Sequence, residues 1–137
     1  MATLKNDLAF GEQSEKTTME TIESFLNTKM SRRGGYATFD FDNGSNIFVE
    51  LKTRRIPHDQ YPTALIGANK VLSASRHPEN TYWFIYKYSD GIFGIQYSKE
   101  KFASYQHEEY TRGDREDYHN NPQECYFIPH SDLRKFI

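Results

Sequence analysis

Apolar side chains recur at helical spacing early in the chain, at Met19, Ile22, Phe25 and Leu26, and Arg32-Arg33-Gly34-Gly35 then reads as a stop and a loop. This predicts a helix over residues 11–26. The pattern then changes period. Residues 37–42 and 46–53 alternate apolar with polar around Asn43-Gly44-Ser45, the composition of a tight hairpin. In the second of these strands Ile47, Val49 and Leu51 point one way and Phe48, Glu50 and Lys52 the other. In the first, Thr38, Asp40 and Asp42 share a face opposite Phe39 and Phe41. Apolar positions at 64, 65, 68, 71 and 72, with Pro62 at the first turn, predict a second helix from about Tyr61 to Leu72. Residues 81–88 and 92–97 are aromatic and β-branched and are joined by Ser89-Asp90-Gly91, a second hairpin. A short helix over 99–105, a polar loop over 107–124, a strand over 125–128 and a last turn capped by Ser131 complete the expectation. The whole is an α/β fold.

Composition narrows the picture. A length of 137 residues fits one domain over 1–137, and 10 Phe, 10 Tyr and 1 Trp supply a core despite a mean hydropathy of −0.84. The chain has neither a membrane-length apolar run nor the start of a signal peptide, so a soluble, intracellular protein is expected. A single cysteine, Cys125, leaves any metal to oxygen or histidine ligands, and the five histidines show no metal-ligand spacing. The formal net charge of −2 excludes binding of nucleic acid by bulk charge. Between Lys52 and Arg76, however, five basic residues stand against Asp59 alone, which leaves a local basic surface.

Three acids and a lysine carry candidate chemistry. Glu15 falls near the centre of the arc defined by the apolar residues of the first helix, with Glu12 about 60° to one side. Asp40 lies on the charged face of the first strand, with Asp42 as its competitor beside the turn. Glu50 and Lys52 share a face of the second. The string Phe48-Val49-Glu50-Leu51-Lys52 resembles the E-x-K strand of the PD-(D/E)XK nuclease superfamily, and Gly11-x-x-x-Glu15 resembles the first-helix motif of its Holliday-junction resolvase and phage endonuclease branch. The resemblance spans about residues 11–88, and Phe39 stands where the superfamily often has proline. It implies a restriction-endonuclease-like core, a central mixed β-sheet flanked by helices in αβββαβ order. It further implies an Mg²⁺-dependent endonuclease, with Mn²⁺ able to substitute. Asp40, Glu50 and Glu15 would hold metal, and Lys52 would serve the attacking water. Arg54, Arg55, Tyr61 and Lys70 are candidates for contact with DNA, and Arg76, Arg112 and Arg115 could add to the basic surface.

This reading makes a geometric demand. A regular two-residue Asn43-Gly44 turn would put Asp40 and Glu50 on opposite faces, whereas a three-residue loop over 43–45 would oppose Asp42 to Asn46 and set Asp40 diagonal to Glu50. The longer loop is therefore expected. Competing functions are a non-catalytic nucleic-acid or protein-binding module of the same fold, and a ribonuclease using the same site. A homodimer would suit cleavage of two strands.

Overall fold

The computed structural model describes residues 4–35, 37–110 and 123–137. A long helix α1 (Leu4–Leu26) opens the chain and begins earlier than the apolar spacing suggested. It ends where Asn27 takes a left-handed conformation (φ 55°), a helix C-terminus that asparagine tolerates better than most residues. Short strands β1 (Ser31–Arg32) and β2 (Phe41–Asp42) lead to β3 (Ile47–Thr53). Then come β4 (Thr63–Gly67), α2 (Ala68–Ser75), β5 (Thr81–Tyr88), β6 (Gly91–Gln96) and α3 (Lys99–Ala103). Strands β7 (His107–Tyr110) and β8 (Gln123–Pro129), a 3-10 turn (His130–Asp132) and β9 (Arg134–Lys135) close the sequence. Six strands form a mixed sheet in the order β1-β2-β3-β5-β6-β9, in which only β3 and β5 are parallel. A smaller antiparallel sheet has the order β4-β8-β7.

The mixed sheet is apolar on both faces, and alternation along β3 and β5 divides the core in two. On one side Val49, Ile85 and Phe41 pack with Ile22 and Met30, and Met19 and Leu26 of α1 complete the layer. On the other, Phe84, Tyr86 and Tyr82 pack with Val71 and Ala74 of α2, Phe102 of α3, and Ala64, Ile66 and Ile128 of the smaller sheet. Strand β9 brings Phe136 over the sheet edge, where its ring stacks on Phe25 of α1 with centroids 3.9 Å apart. Gly94 makes room for it, since a Cβ there would lie 2.8 Å from the Phe136 ring.

Four expectations need correction. The polar loop expected over 107–124 gives way to β7 at His107–Tyr110 and to β8 from Gln123, and its remainder lies outside the described residues. Residues 63–67, expected to open a helix, form β4 instead. Thr63-Ala64-Leu65-Ile66-Gly67 is a short apolar run compatible with either period, and its pairing with β8 (Ala64 opposite Ile128, Ile66 opposite Tyr126) decides for the strand. The helix starts only after Gly67, so the αβββαβ order of the core stands, with β4 inserted ahead of α2 and paired in a second small sheet. The expected strand over 37–42 is reduced to β2, because Phe39 leaves the ladder to pack on Phe48, Tyr82 and Phe84. Ser131 caps no helix, since Pro129 occupies that position without a side-chain bond. Among the described residues no helix is long and apolar enough to cross a membrane.

Candidate active site

The register of β3 against β5 pairs Phe48 with Tyr82, Glu50 with Phe84 and Lys52 with Tyr86, so these side chains share the α2 face of the mixed sheet. Val49 and Leu51 lie on the α1 face. A charged pair thus enters a face otherwise occupied by aromatic rings.

Asp40 reaches this pair through the hairpin. Asp42 pairs with Phe48 and Phe41 with Val49, while the Asn43 amide donates to Ile47 O at 3.1 Å. The connection is a three-residue loop over Gly44-Ser45-Asn46, with Gly44 at φ 78°. This differs by two residues from the register expected, and the cause lies in the Asn43 side chain. Its Oδ1 accepts from both Ser45 N and Ile47 N at 3.0 Å, tightening the turn one position later. A slip of two keeps every side chain on its face and sets Asp40 level with Glu50 instead of diagonal to it. Beyond Phe41 the chain departs from β3, and the Asp40 carboxylate takes over the ladder by accepting the Leu51 N–H at 3.1 Å. Asp42 serves the turn, accepting from Gly44 N and pairing with Arg33.

Glu50 is 8% exposed, and its Oε1 has no hydrogen-bond partner among the described residues. The Lys70 ammonium lies 3.6 Å from that oxygen and donates to Thr38 O. Burial first, then the adjacent charge of Asp40, pushes the Glu50 carboxyl up to about 7, against the pull of Lys70 and Lys52. The two carboxylates lie within hydrogen-bonding reach of each other. Lys70, read from sequence as a phosphate contact, thus stands at the acids themselves. Only the tertiary fold could disclose this, because α2 begins where a strand ends.

The other candidates scatter. Glu15 is not brought to this group: its carboxylate pairs with Arg32 of β1. Arg32 lies opposite Phe41, on the face that α1 covers. Exposed pairs of this kind contribute at most about 1 kcal/mol. Glu15→Gln is accordingly expected to lower stability by no more than about 1 kcal/mol in urea unfolding; a larger loss would show that the pair is more than an exposed contact. Arg54 and Tyr61 line one cleft, and Arg76 lines another beside Phe39. Arg55 is exposed past the end of β3 and lines neither. The side chain of Glu12, and Arg112 and Arg115, lie outside the described residues.

One cluster was missed from sequence. His58, Asp59 and Asp90 each have a ligand atom within 4.8 Å of the others, although His58 and Asp90 are 32 positions apart. His58 Nδ1 is already bonded to Asp90 Oδ2 at 2.6 Å and its amide to Oδ1 at 2.9 Å. This tie holds the segment after β3 to the β5–β6 turn.

The sheet order, the hairpin acid and the E-x-K strand acquire a family context from comparison with known proteins. A family model described as "Phage putative PDDEXK endonuclease" matches residues 7–136. The chain belongs to that family. No curated protein and no solved structure matches it. Membership of the phage PDDEXK endonuclease family identifies a nuclease fold with a mixed central sheet, and residues 7–136 extend it well beyond the stretch whose motifs were legible. PDDEXK nucleases generally use a divalent metal.

Proposed function

We propose that the protein is a metal-dependent endonuclease that hydrolyses phosphodiester bonds of DNA at Asp40, Glu50 and Lys52. The observation that carries this reading is the Glu50 carboxylate, buried beside a second carboxylate with one oxygen left without a hydrogen bond. Burying paired acids costs stability, and an acceptor left unbonded inside a protein has a reason elsewhere. An all-oxygen donor pair fits a hard divalent cation such as Mg²⁺, with Mn²⁺ able to substitute. Asp40 and Glu50 would hold the cation, which when bound offsets negative charge on the phosphoryl oxygens. Lys52, on the same strand face, orients the attacking water and stabilises developing charge. Asp40 is held in place by the Leu51 amide, and Lys70 positions Glu50.

DNA suits the surroundings. The row Glu50, Lys52, Arg54 is flanked by two clefts, one lined by Arg33 and Arg76 and the other by Arg54. Basic groups on both sides of the acids can grip phosphates flanking the bond to be cut without reading sequence. The test is incubation of wild type and Lys52→Ala with duplex, single-stranded, flapped and four-way DNAs and an RNA, with Mg²⁺ or Mn²⁺. Cleavage of at least one DNA that requires metal and Lys52 is the expected result. Loss of cleavage across all DNAs, or cleavage of RNA alone, would overturn the assignment in favour of a binding module or a ribonuclease.

A further inference from the structure

Beyond Lys52 the charged side of β3 runs into a cleft of about 410 Å³, lined among others by Arg54, His58, Tyr61, Thr63, Tyr86 and Tyr88. Arg54 continues the row of Glu50 and Lys52: its amide donates to Lys87 O at 2.8 Å, which extends the parallel ladder one step past Thr53. At about 3.3 Å per residue, Arg54 is about 13 Å from Glu50 along the strand. The cleft therefore begins within reach of the nucleotides next to the scissile phosphate. Its walls are not those of a phosphate groove. Tyr86 and Tyr88 are buried and lie nearly parallel, with centroids 5.8 Å apart and planes at 14°. The opposite wall comes from β4, which the Tyr86 hydroxyl fixes by donating to Leu65 O at 2.7 Å. Tyr61 is 54% exposed, a large ring that the core does not use. The volume falls within the range of about 300–1,000 Å³ typical of small-molecule sites.

The geometry points to this cleft as a pocket for one unpaired nucleobase of the DNA strand being cut. This deepens the nuclease reading and rests on it for the direction of the strand. The exposed Tyr61 ring offers its face to any base by stacking, and the buried Tyr86 and Tyr88 close the cleft behind it, so the pocket selects for an unpaired nucleotide and not for sequence. Arg54, close enough for its charge to be felt by both phenols, supplies the cation that the attached phosphate requires. A base inside a duplex cannot enter without leaving its stack, so the preferred substrate has a single-stranded nucleotide beside the cut.

The experiment measures binding without metal, and so without catalysis. A fluorescein-labelled short oligothymidylate and an abasic deoxyribose-phosphate oligomer of the same length are titrated with the full chain in EDTA. Wild type is expected to bind the base-bearing oligomer about tenfold more tightly. Tyr61→Ala, which removes the exposed ring, and Thr63→Trp, which fills the cleft, should each bring the ratio towards one. Equal affinities in wild type, or an undiminished ratio in both variants, would overturn the pocket. Metal-dependent cleavage combined with a wild-type ratio of one would remove the pocket and leave the nuclease. A tenfold ratio without cleavage of any DNA would support the pocket and remove the nuclease.

Discussion

Glu50→Gln is expected to abolish cleavage and, at pH 8, to make the protein more stable than wild type. The second effect follows from the carboxyl being pushed up to about 7 by burial and by Asp40. Between pH of about 4.5 and 7 the folded protein holds more protons than the unfolded chain at this position. Wild type therefore loses stability as pH rises through that window, and the loss is complete above it. A shift of this size corresponds to about 3 kcal/mol, an upper figure because the amide also gives up the attraction of Lys70. Urea unfolding of both proteins at pH 5 and pH 8 checks it. The difference should open towards pH 8, and parallel pH dependences would show that Glu50 is not the strained group described above. A residue that weakens the fold where it stands is expected at a site kept for chemistry.

Lys52→Ala and Asp40→Asn should separate catalysis from cation binding. Both are expected to lower cleavage, Lys52→Ala by about a hundredfold to ten-thousandfold, the range for groups that serve proton transfer. Mn²⁺ at about a hundred times its dissociation constant stabilises a protein that binds it only when folded by about 2.7 kcal/mol. Thermal unfolding with and without Mn²⁺ should show this gain in wild type and Lys52→Ala, but not in Asp40→Asn. Asparagine is chosen because it retains an oxygen for the Leu51 amide, so the hairpin survives. The gain should also fade as pH falls through about 7, where Glu50 takes up a proton that competes with the cation. Undiminished Mn²⁺ stabilisation of Asp40→Asn would remove that residue from the cation site.

What the sequence disclosed followed the reach of local rules. Alternation along 47–53 assigned Glu50 and Lys52 to one face because strand periodicity is a property of the backbone alone. The argument that Asp40 and Glu50 can share a face only across a three-residue loop needed only turn geometry, and the loop has that length. Its position, one residue later than expected, depended on Asn43 capping the turn with its side chain, which composition cannot rank against Asp42. The long-range features escaped. Strand β4 is fixed by β8, some sixty positions later, and the approach of Lys70 to Glu50 depends on where β4 ends. Glu15 occupied the right arc of α1, but nothing local distinguishes an acid aimed at a cleft from one that meets Arg32.

The stack of Phe25 on Phe136 has a kinetic meaning. It joins positions 111 apart (136 − 25), the widest separation among the ring contacts of the described residues. The entropy of closing a loop grows with the logarithm of its length, so this contact is the costliest to form from an open chain. It becomes favourable only once β5 and β6 have assembled and Trp83 and Gly94 offer Phe136 a surface. The docking of Phe136 on α1 is thereby expected late in folding, after the strand that carries Glu50 and Lys52 has found its parallel partner.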